Sequence, residues 1–164
     1  IYSQQDVSVI FNSLQKCLSS FESDLRSRIT EIGVCGQMHG CVLWESNDAW
    51  QYHDDHSNYS IDKTKISDLY TWQDARCSPE FISKLPKPQS YIDYISTGFG
   101  CATIFWLIQN QPDFVRRFNC AGTIMDLFVV IICDLLNVVM SCHNASSWGY
   151  FDPINQTWNK ELYV

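Results

Sequence analysis

Apolar side chains near the start of the chain recur at steps of three and four residues, which is the spacing of one face of an α-helix. They are Val7, Ile10, Phe11, Leu14, Leu18, Phe21 and Leu25. Asp6 lies in the predicted first turn, and Arg26 and Arg28 lie near the predicted end, where the helix dipole favours each charge. The spacing therefore predicts one amphipathic helix over residues 5–28.

Two apolar runs of strand length follow, separated by a short tip with a glycine at each end. Residues 29–35 lead into the tip at residues 36–40, and residues 41–45 lead out of it. The glycines free the backbone to turn, so we expect a strand, a tight loop and an antiparallel hairpin partner. The tip carries an amide, a thioether and an imidazole, which suit a small polar ligand with some apolar surface.

The rest of the chain alternates between helical and extended patterns. Helices are expected over residues 79–85, 102–109, 113–118 and 127–136, with another beginning near Trp158. Strands are expected over residues 66–72 and 138–142. Residues 120–124 are expected to form a strand or a loop, and residues 46–66 a polar loop or hairpin. Asp126 stands where a helix begins, and a carboxylate there caps free backbone N–H groups. This alternation is typical of an α/β protein.

Composition and charge mainly exclude classes of partner. The 164 residues are 46% hydrophobic and 18% charged, which is usual for one globular domain. A net charge of −7 and the lack of a basic cluster beyond Arg116 and Arg117 argue against nucleic acid or an anionic membrane as the main partner. The longest apolar stretch, residues 123–140, contains Asp126 and Asp134, so we expect a buried helix there instead of a membrane span.

The eight cysteines form no C-x-x-C pair, which argues against a zinc ribbon or a thioredoxin motif. Most lie inside apolar runs, such as residues 131–133, where a free cysteine behaves as a small hydrophobic residue. Because no signal peptide opens the chain, we expect reduced cysteines and a cytoplasmic location. Three Asn-x-Ser/Thr sequons, at Asn58, Asn144 and Asn155, leave a secreted, disulfide-linked glycan-binding domain as an alternative.

Three further segments contain residue types that bind ligands. Residues 53–56 read His-Asp-Asp-His, but no other ligand stands at a recognisable spacing, so we expect a solvated loop and no metal site. The glycine-bounded turn at residues 96–100 matches neither common phosphate-loop pattern. Trp72, Asp74 and Arg76 end a predicted strand, where α/β folds place ligands; an ion pair beside a packed tryptophan is the alternative.

Taken in order, these segments resemble the FGGY family of carbohydrate kinases. Residues 36–40 are similar to the Gly-Gln-Met-His-Gly motif of its xylulose-kinase branch, residues 72–76 to its Trp-x-Asp-x-Arg segment, and residues 97–112 to its Thr-Gly block and following helix. Asp126 falls at the family's Asp-Tyr-Leu helix start, although Leu-Phe replaces the usual pair. Residues 144–152 are similar to the block that usually reads Asp-Ala-Ser…Phe-Asp, and their Ala-Ser-Ser-Trp-Gly form is most similar to the branch that phosphorylates sedoheptulose.

The resemblance implies an α/β fold of the ribonuclease-H-like, actin/hexokinase type, with a cleft between two domains. Residues 1–164 would be part of the N-terminal sugar-binding domain; the nucleotide-binding domain would be absent, and the catalytic Asp would follow Val164. The complete enzyme would use ATP and Mg to phosphorylate a terminal hydroxyl of a ketose, sedoheptulose, in pentose phosphate metabolism. This chain alone would hold no cofactor and would be inactive.

The resemblance also implies which residues contact the sugar. They are Gln37, Met38, His39, Gly40, Trp72, Asp74, Arg76, Asp126 and Asn144. His39 would hydrogen-bond a hydroxyl, Met38 would pack on the carbon face, and residues 72–76 would line or brace the pocket. Asn144 stands where the family often has Asp. The alternative function is a non-catalytic truncated isoform that serves as a sugar-binding or interaction module.

Overall fold

A computed structural model describes residues 2–46, 48–53, 58–89 and 94–160, which form a mixture of helices and short strands. The helices are α1 (Val7–Ser19), α2 (Ser23–Ser27), α3 (Pro79–Lys84), α4 (Gly100–Asn110), α5 (Pro112–Val115), α6 (Ile124–Ile132) and α7 (Cys142–Ser147). The strands are β1 (Gln4–Gln5), β2 (Val42–Trp44), β3 (Trp50–His53), β4 (Asn58–Ile61), β5 (Leu69–Tyr70), β6 (Cys120–Gly122), β7 (Phe151–Asp152) and β8 (Thr157–Trp158). This content is that of an α/β protein, as the sequence predicts.

Strand β2 is the centre of an antiparallel ribbon. It pairs with β6 along one edge. On its other edge, isolated bridges join Cys41 to Tyr70 and Trp44 to Ile66. Because β5 pairs in turn with β1, the order across the ribbon is β1, β5, β2, β6.

Both faces of β2 are buried, which explains why its sequence is apolar at every position. Val42 and Trp44 face a core that includes the buried side chains of α1 and α6, such as Phe11 and Leu127. Leu43 faces the opposite way, into a second core built around α4, Trp148 and Tyr150. This alternation along one strand places two cores back to back.

The first predicted helix is shorter than expected. The structure divides residues 5–28 into α1 and the five-residue α2, with a break after Ser19. Val7 and Phe11 are buried, whereas Phe21 and Leu25 are exposed. Since most helical stability in proteins comes from packing of the apolar face, the periodic pattern beyond Ser19 does not sustain one continuous helix.

Two predicted strands are wrong. Residues 29–35 and 138–142 form no strand in the described structure: Ile32 and Val139 are 61% and 58% exposed, and Cys142 begins α7. The predicted hairpin with residues 41–45 is therefore wrong as well, although β2 forms within that range. Both edges of β2 are taken by segments distant in sequence, and a β-type composition makes no strand without a partner.

Most other predicted elements form near their expected positions. The polar segment 46–66 contains the β3–β4 hairpin, and α3, α4, β5 and β6 agree with their predicted ranges to within a few residues. Helix α5 ends at Val115, before the predicted end, and α6 begins at Ile124, two residues before Asp126. The helix predicted to begin near Trp158 is wrong: that residue belongs to β8, where its ring packs against Phe151 of β7 at 5.1 Å between centroids.

All eight cysteines lie in the described part of the chain and are free. Cys41, Cys77 and Cys101 are buried, and burial raises the pKa of the Cys77 and Cys101 thiols to about 12. Four others are exposed, among them Cys133, so the expectation that a cysteine in an apolar run is buried is wrong there. Cys133 lies just past the last residue of α6, where the buried face of the helix has ended.

None of the described helices combines the length and apolar character that crossing a membrane requires. The buried residues of α6 include Leu127, Val130 and Ile131, as expected for a helix packed against a core.

Candidate functional site

The tip at residues 36–40 is a strained turn that leads into β2. His39 has a φ of 68°, and the N–H of Gly40 donates to the carbonyl of Met38 at 2.8 Å. A hydrogen bond across three residues with a positive φ at the middle one is a γ-turn, which stores backbone strain. A Cβ on Gly40 would lie 2.9 Å from the carbonyl oxygen of Tyr70, so glycine lets the turn lie directly against β5.

The imidazole of His39 is held in place from two sides. Its Nδ1 lies 2.6 Å from the carbonyl oxygen of Ser147, and because a carbonyl only accepts, Nδ1 carries the proton of this hydrogen bond. The ring stacks on Phe99 with 4.7 Å between centroids and an interplanar angle of 2°. Nε2 makes no hydrogen bond to the described residues, so it is the ring nitrogen that remains for another group.

Asp126 completes the N-terminal cap of α6. Its Oδ2 accepts hydrogen bonds from the backbone N–H of Thr123 at 2.8 Å and from the Thr123 hydroxyl at 2.7 Å. The N–H of Asp126 donates back to Thr123 Oγ1 at 3.2 Å, which closes a capping box. The capping role expected for this carboxylate is confirmed.

Asn144 lies on α7 and connects to this cap. Its Nδ2 donates to Asp126 Oδ1 at 3.1 Å. Asp126 is only 3% exposed, and both of its carboxylate oxygens accept hydrogen bonds from the protein. The amide nitrogen of Asn144 is therefore committed to the carboxylate, and its Oδ1 is the atom left to accept a further hydrogen bond.

A cavity of about 510 Å³ opens between the tip, α6 and α7. Its lining is mostly apolar on the side of the tip and α6, with polar groups along the edge formed by the start of α7. The lining residues are Val34, Cys35, Gly36, Met38, Met125, Asp126, Val129, Val139, Ser141, His143 and Asn144. Such a wall suits a small ligand that carries both C–H and O–H groups.

The cavity brings together three residues predicted for the site, Met38, Asp126 and Asn144. It also adds Ser141 and His143, which sequence reasoning missed although they stand directly before Asn144 in the chain. Both lie within three residues of Asn144, in the run Ser-Cys-His-Asn before the Ala-Ser-Ser block, and these polar residues were the available signal.

Three predicted tip residues, Gln37, His39 and Gly40, are not among the residues that line this cavity. The Nε2 of Gln37 donates to Gln5 Oε1 at 3.2 Å, and the buried Gln37 Oε1 has no partner among the described residues. Gly40 is buried against β5. In this structure Gln37 and Gly40 therefore connect the tip to β1 and β5.

Asp74 and Arg76 form a buried ion pair. Arg76 Nε donates to Asp74 Oδ1 at 2.7 Å, and Arg76 Nη2 donates to Oδ2 at 3.0 Å, in the two-pronged geometry that arginine favours. The backbone N–H of Ser3 donates to Oδ2 at 2.8 Å. The side chains of Asp74 and Arg76 are 0% and 4% exposed, so the pair ties the start of the chain to the segment after β5.

Aromatic rings surround the Arg76 guanidinium. Its central carbon lies 4.2 Å from the Tyr70 ring centroid, and the Tyr2 and Trp106 rings lie at 5.1 and 5.2 Å. Burial raises the pKa of Asp74, but the hydrogen bonds from Arg76 and Ser3 and the guanidinium charge outweigh it, so the net pKa lies below its usual value. The geometry of this pair is that of a structural brace.

The Thr-Gly block packs directly on this brace. The Thr97 hydroxyl donates to the carbonyl of Asp74 at 3.1 Å. Gly98 has a φ of +82°, and a Cβ there would lie 2.1 Å from the carbonyl oxygen of Trp72. The Trp72 side chain is 52% exposed and does not line the 510 Å³ cavity.

Within the described residues no group of three or more His, Cys, Asp or Glu side chains is arranged to hold a metal ion. Three residues of the His-Asp-Asp-His segment, 54–56, lie outside the described residues.

Comparison with known proteins relates the chain to sugar kinases. The sequence model for the N-terminal domain of the FGGY family of carbohydrate kinases matches residues 1–164. The chain is 42% identical to sedoheptulokinase from Mus musculus over 156 residues, which cover 95% of this chain and 33% of that protein. It is also 42% identical to sedoheptulokinase from Homo sapiens over 158 residues, covering 96% of this chain and 33% of the relative.

A more distant relative is xylulose kinase from Haemophilus influenzae, which is 28% identical over 145 residues, covering 80% of this chain and 25% of that protein. The chain spans about a third of the length of the sedoheptulokinases it matches.

Proposed function

Because this chain belongs to the FGGY family of carbohydrate kinases, we propose that it forms the sugar-binding part of an enzyme that transfers the γ-phosphoryl group of ATP to a terminal hydroxyl of sedoheptulose. The observation that carries the choice of sugar is the 42% identity, over 95% of this chain, to a protein named sedoheptulokinase. We place ATP, Mg²⁺ and the catalytic Asp outside residues 1–164, since the chain matches the family's N-terminal domain and about a third of these relatives.

The cavity supports this assignment because its two sides match the two kinds of surface on a sugar. Met38 and Val129 offer apolar contact for the C–H groups, and Asn144 Oδ1 is positioned to accept a hydrogen bond from a hydroxyl. Since phosphoryl transfer depends mainly on positioning, a wall that orients the ketose is the contribution this part of the enzyme would make.

His39 is proposed to bind a second hydroxyl through Nε2. Its Nδ1 donates to the Ser147 carbonyl, so Nε2 is the ring nitrogen left to bind the hydroxyl. Asp126 acts by orienting Asn144, and Asp74 with Arg76 braces the segment that carries Trp72. The remaining predicted contacts, Gln37 and Gly40, would shape the turn.

We further propose that the complete domain has the ribonuclease-H-like fold and that the reaction takes place in the cytosol, in keeping with eight free cysteines. On its own, the 164-residue chain is expected to show no kinase activity.

The test is a coupled ADP-release assay on the full-length protein with MgATP and a panel of ketoses. We expect turnover with sedoheptulose at a higher kcat/KM than with xylulose. The 164-residue chain in the same assay is the matched control and is expected to be silent. Turnover by the short chain, or no turnover of any ketose by the full-length protein, contradicts the proposal.

His39→Ala tests the site within that enzyme. Loss of one hydrogen bond and of the ring that packs on Phe99 is expected to raise the KM for sedoheptulose by about 10-fold or more, with little change in the KM for ATP. His53→Ala, a change at an exposed histidine of β3, is the control. Unchanged sugar kinetics in His39→Ala would remove this residue from the site.

A further inference from the structure

We infer that His143 is a second sugar-binding histidine of this site and helps to set the affinity for the ketose; this inference rests on the function proposed above. Neither the motifs of the sequence nor the comparisons assign a role to this residue. It is the placement of His143 on the cavity that points to it.

The start of α7 holds His143 at the edge of the cavity. His143 lies in the first turn of α7, and this turn is capped by Ser141, whose side chain accepts a hydrogen bond from the N–H of Asn144 at 3.2 Å. The next side chain, Asn144, is fixed by its hydrogen bond to Asp126. Both contacts hold the backbone around His143, so its ring is presented at the edge of the cavity by a rigid support.

Several polar groups of the cavity lining already take part in hydrogen bonds within the protein. Asp126, the carboxylate of the lining, is buried and its two oxygens accept three hydrogen bonds from Thr123 and Asn144. Asn144 has only its Oδ1 left, which accepts but does not donate. A sugar hydroxyl both donates and accepts, so the ketose also needs donors, which this lining offers in the Ser141 hydroxyl and the His143 imidazole.

The imidazole of His143 offers a pair of hydrogen-bonding nitrogens that the rest of the lining lacks. A neutral imidazole carries one donor and one acceptor nitrogen, so it complements the Asn144 Oδ1 beside it. His143 is exposed and forms no hydrogen bond or ion pair with the residues that the structure describes. Its hydrogen-bonding groups are therefore not required by the fold, in contrast to those of His39, whose Nδ1 is bound to Ser147.

The experiment compares His143→Ala and His143→Gln with the wild type in the full-length enzyme. We expect His143→Ala to raise the KM for sedoheptulose by about 3- to 10-fold, the effect of losing one or two neutral hydrogen bonds, with kcat and the KM for ATP within about two-fold of wild type. His143→Gln retains a donor and an acceptor and is expected to lie closer to wild type. Because the side chain is exposed, the Tm of both variants should match that of the wild type.

His53→Ala is the matched control, since His53 is also exposed but lies on β3 and does not line the cavity. A sugar KM for His143→Ala that equals the wild-type value, or a loss of kcat accompanied by a lower Tm, overturns the inference and leaves the proposed function standing. A wild-type enzyme that phosphorylates no ketose overturns both.

Discussion

Replacing Asp74 by alanine is expected to destabilise the protein strongly, because it leaves the Arg76 guanidinium buried without its counter-charge. Four hydrogen bonds end on the Asp74 carboxylate: two from the Arg76 side chain, one from the Arg76 backbone N–H and one from the Ser3 N–H. The side chains of the pair are 0% and 4% exposed, so water cannot easily replace the lost contacts.

The size of the effect follows from this burial. Removing one partner of a buried ion pair typically costs about 3–5 kcal/mol, because the remaining charge stays desolvated. The aromatic rings of Tyr2, Tyr70 and Trp106 around the guanidinium remain and moderate the loss. For a chain of this length, such a loss lowers the Tm by roughly 6–20 °C.

Urea unfolding of the 164-residue chain, followed by tryptophan fluorescence, measures the free energy of unfolding. The double variant Asp74→Ala/Arg76→Met should recover part of the loss, since no unpaired charge is then left inside. Asp113→Ala removes an ion pair with Arg116 whose side chains are 92% and 76% exposed, and as the matched control it should leave the stability unchanged.

One result would refute the reasoning outright. If Asp74 contacts the sugar directly, Asp74→Asn in the full-length enzyme will raise the KM for the ketose and leave the unfolding curve unchanged. The brace predicts the opposite outcome, a loss of stability that appears in the isolated chain without any sugar.

Two further predictions concern the Asp74–Arg76 brace and one concerns the cap of α6. Gly98→Ala should cost more than about 2 kcal/mol in urea unfolding, because a Cβ there meets a backbone carbonyl at 2.1 Å with φ at +82°, whereas Gly33→Ala, which has open space, should be tolerated. Thr123→Ala should cost about 1–2 kcal/mol, since it removes the hydroxyl half of the capping box with Asp126; an unchanged unfolding midpoint would contradict the cap. The pKa of Asp74 is lower in the folded chain than its usual 3.8, so the stabilisation that this carboxylate provides is present above that pH and is lost as the pH falls through the lowered value. The free energy of unfolding of the wild type should therefore fall more steeply below about pH 4 than that of Asp74→Ala. Parallel pH profiles of the two proteins would contradict this prediction.

Local features of the structure could be predicted well from the sequence. A helix start with a capping carboxylate at Asp126 is predicted from the sequence and forms, although its partner in the capping box, Thr123, was not predicted. Strand β2 forms where an uninterrupted apolar run predicts it. Such features need only short-range contacts, which neighbouring residues in the chain specify.

The predictions that fail are those in which the structure of a segment depends on a distant pairing partner and not on the preferences of its own residues. Residues 29–35 and 138–141 have strand-like composition, yet β2 pairs with β6 and with residues 66–70, which the sequence pattern cannot reveal. The sequence predicts a helix beginning near Trp158, but this residue pairs with Phe151 in the β7–β8 hairpin, where the two rings pack together. Strand formation and ring packing depend on which distant segment is available, so tertiary structure decides them.

The sequence by itself determined the family, the order of its motifs and the types of side chain that can contact a sugar. Only the tertiary structure decided which of those side chains meet. It joins His39 to Ser147 across 108 positions of the chain, turns Gln37 toward Gln5 and adds His143 to the cavity. The physical reason is that a motif specifies chemistry locally, whereas burial and hydrogen-bond partners depend on contacts between segments far apart in the sequence.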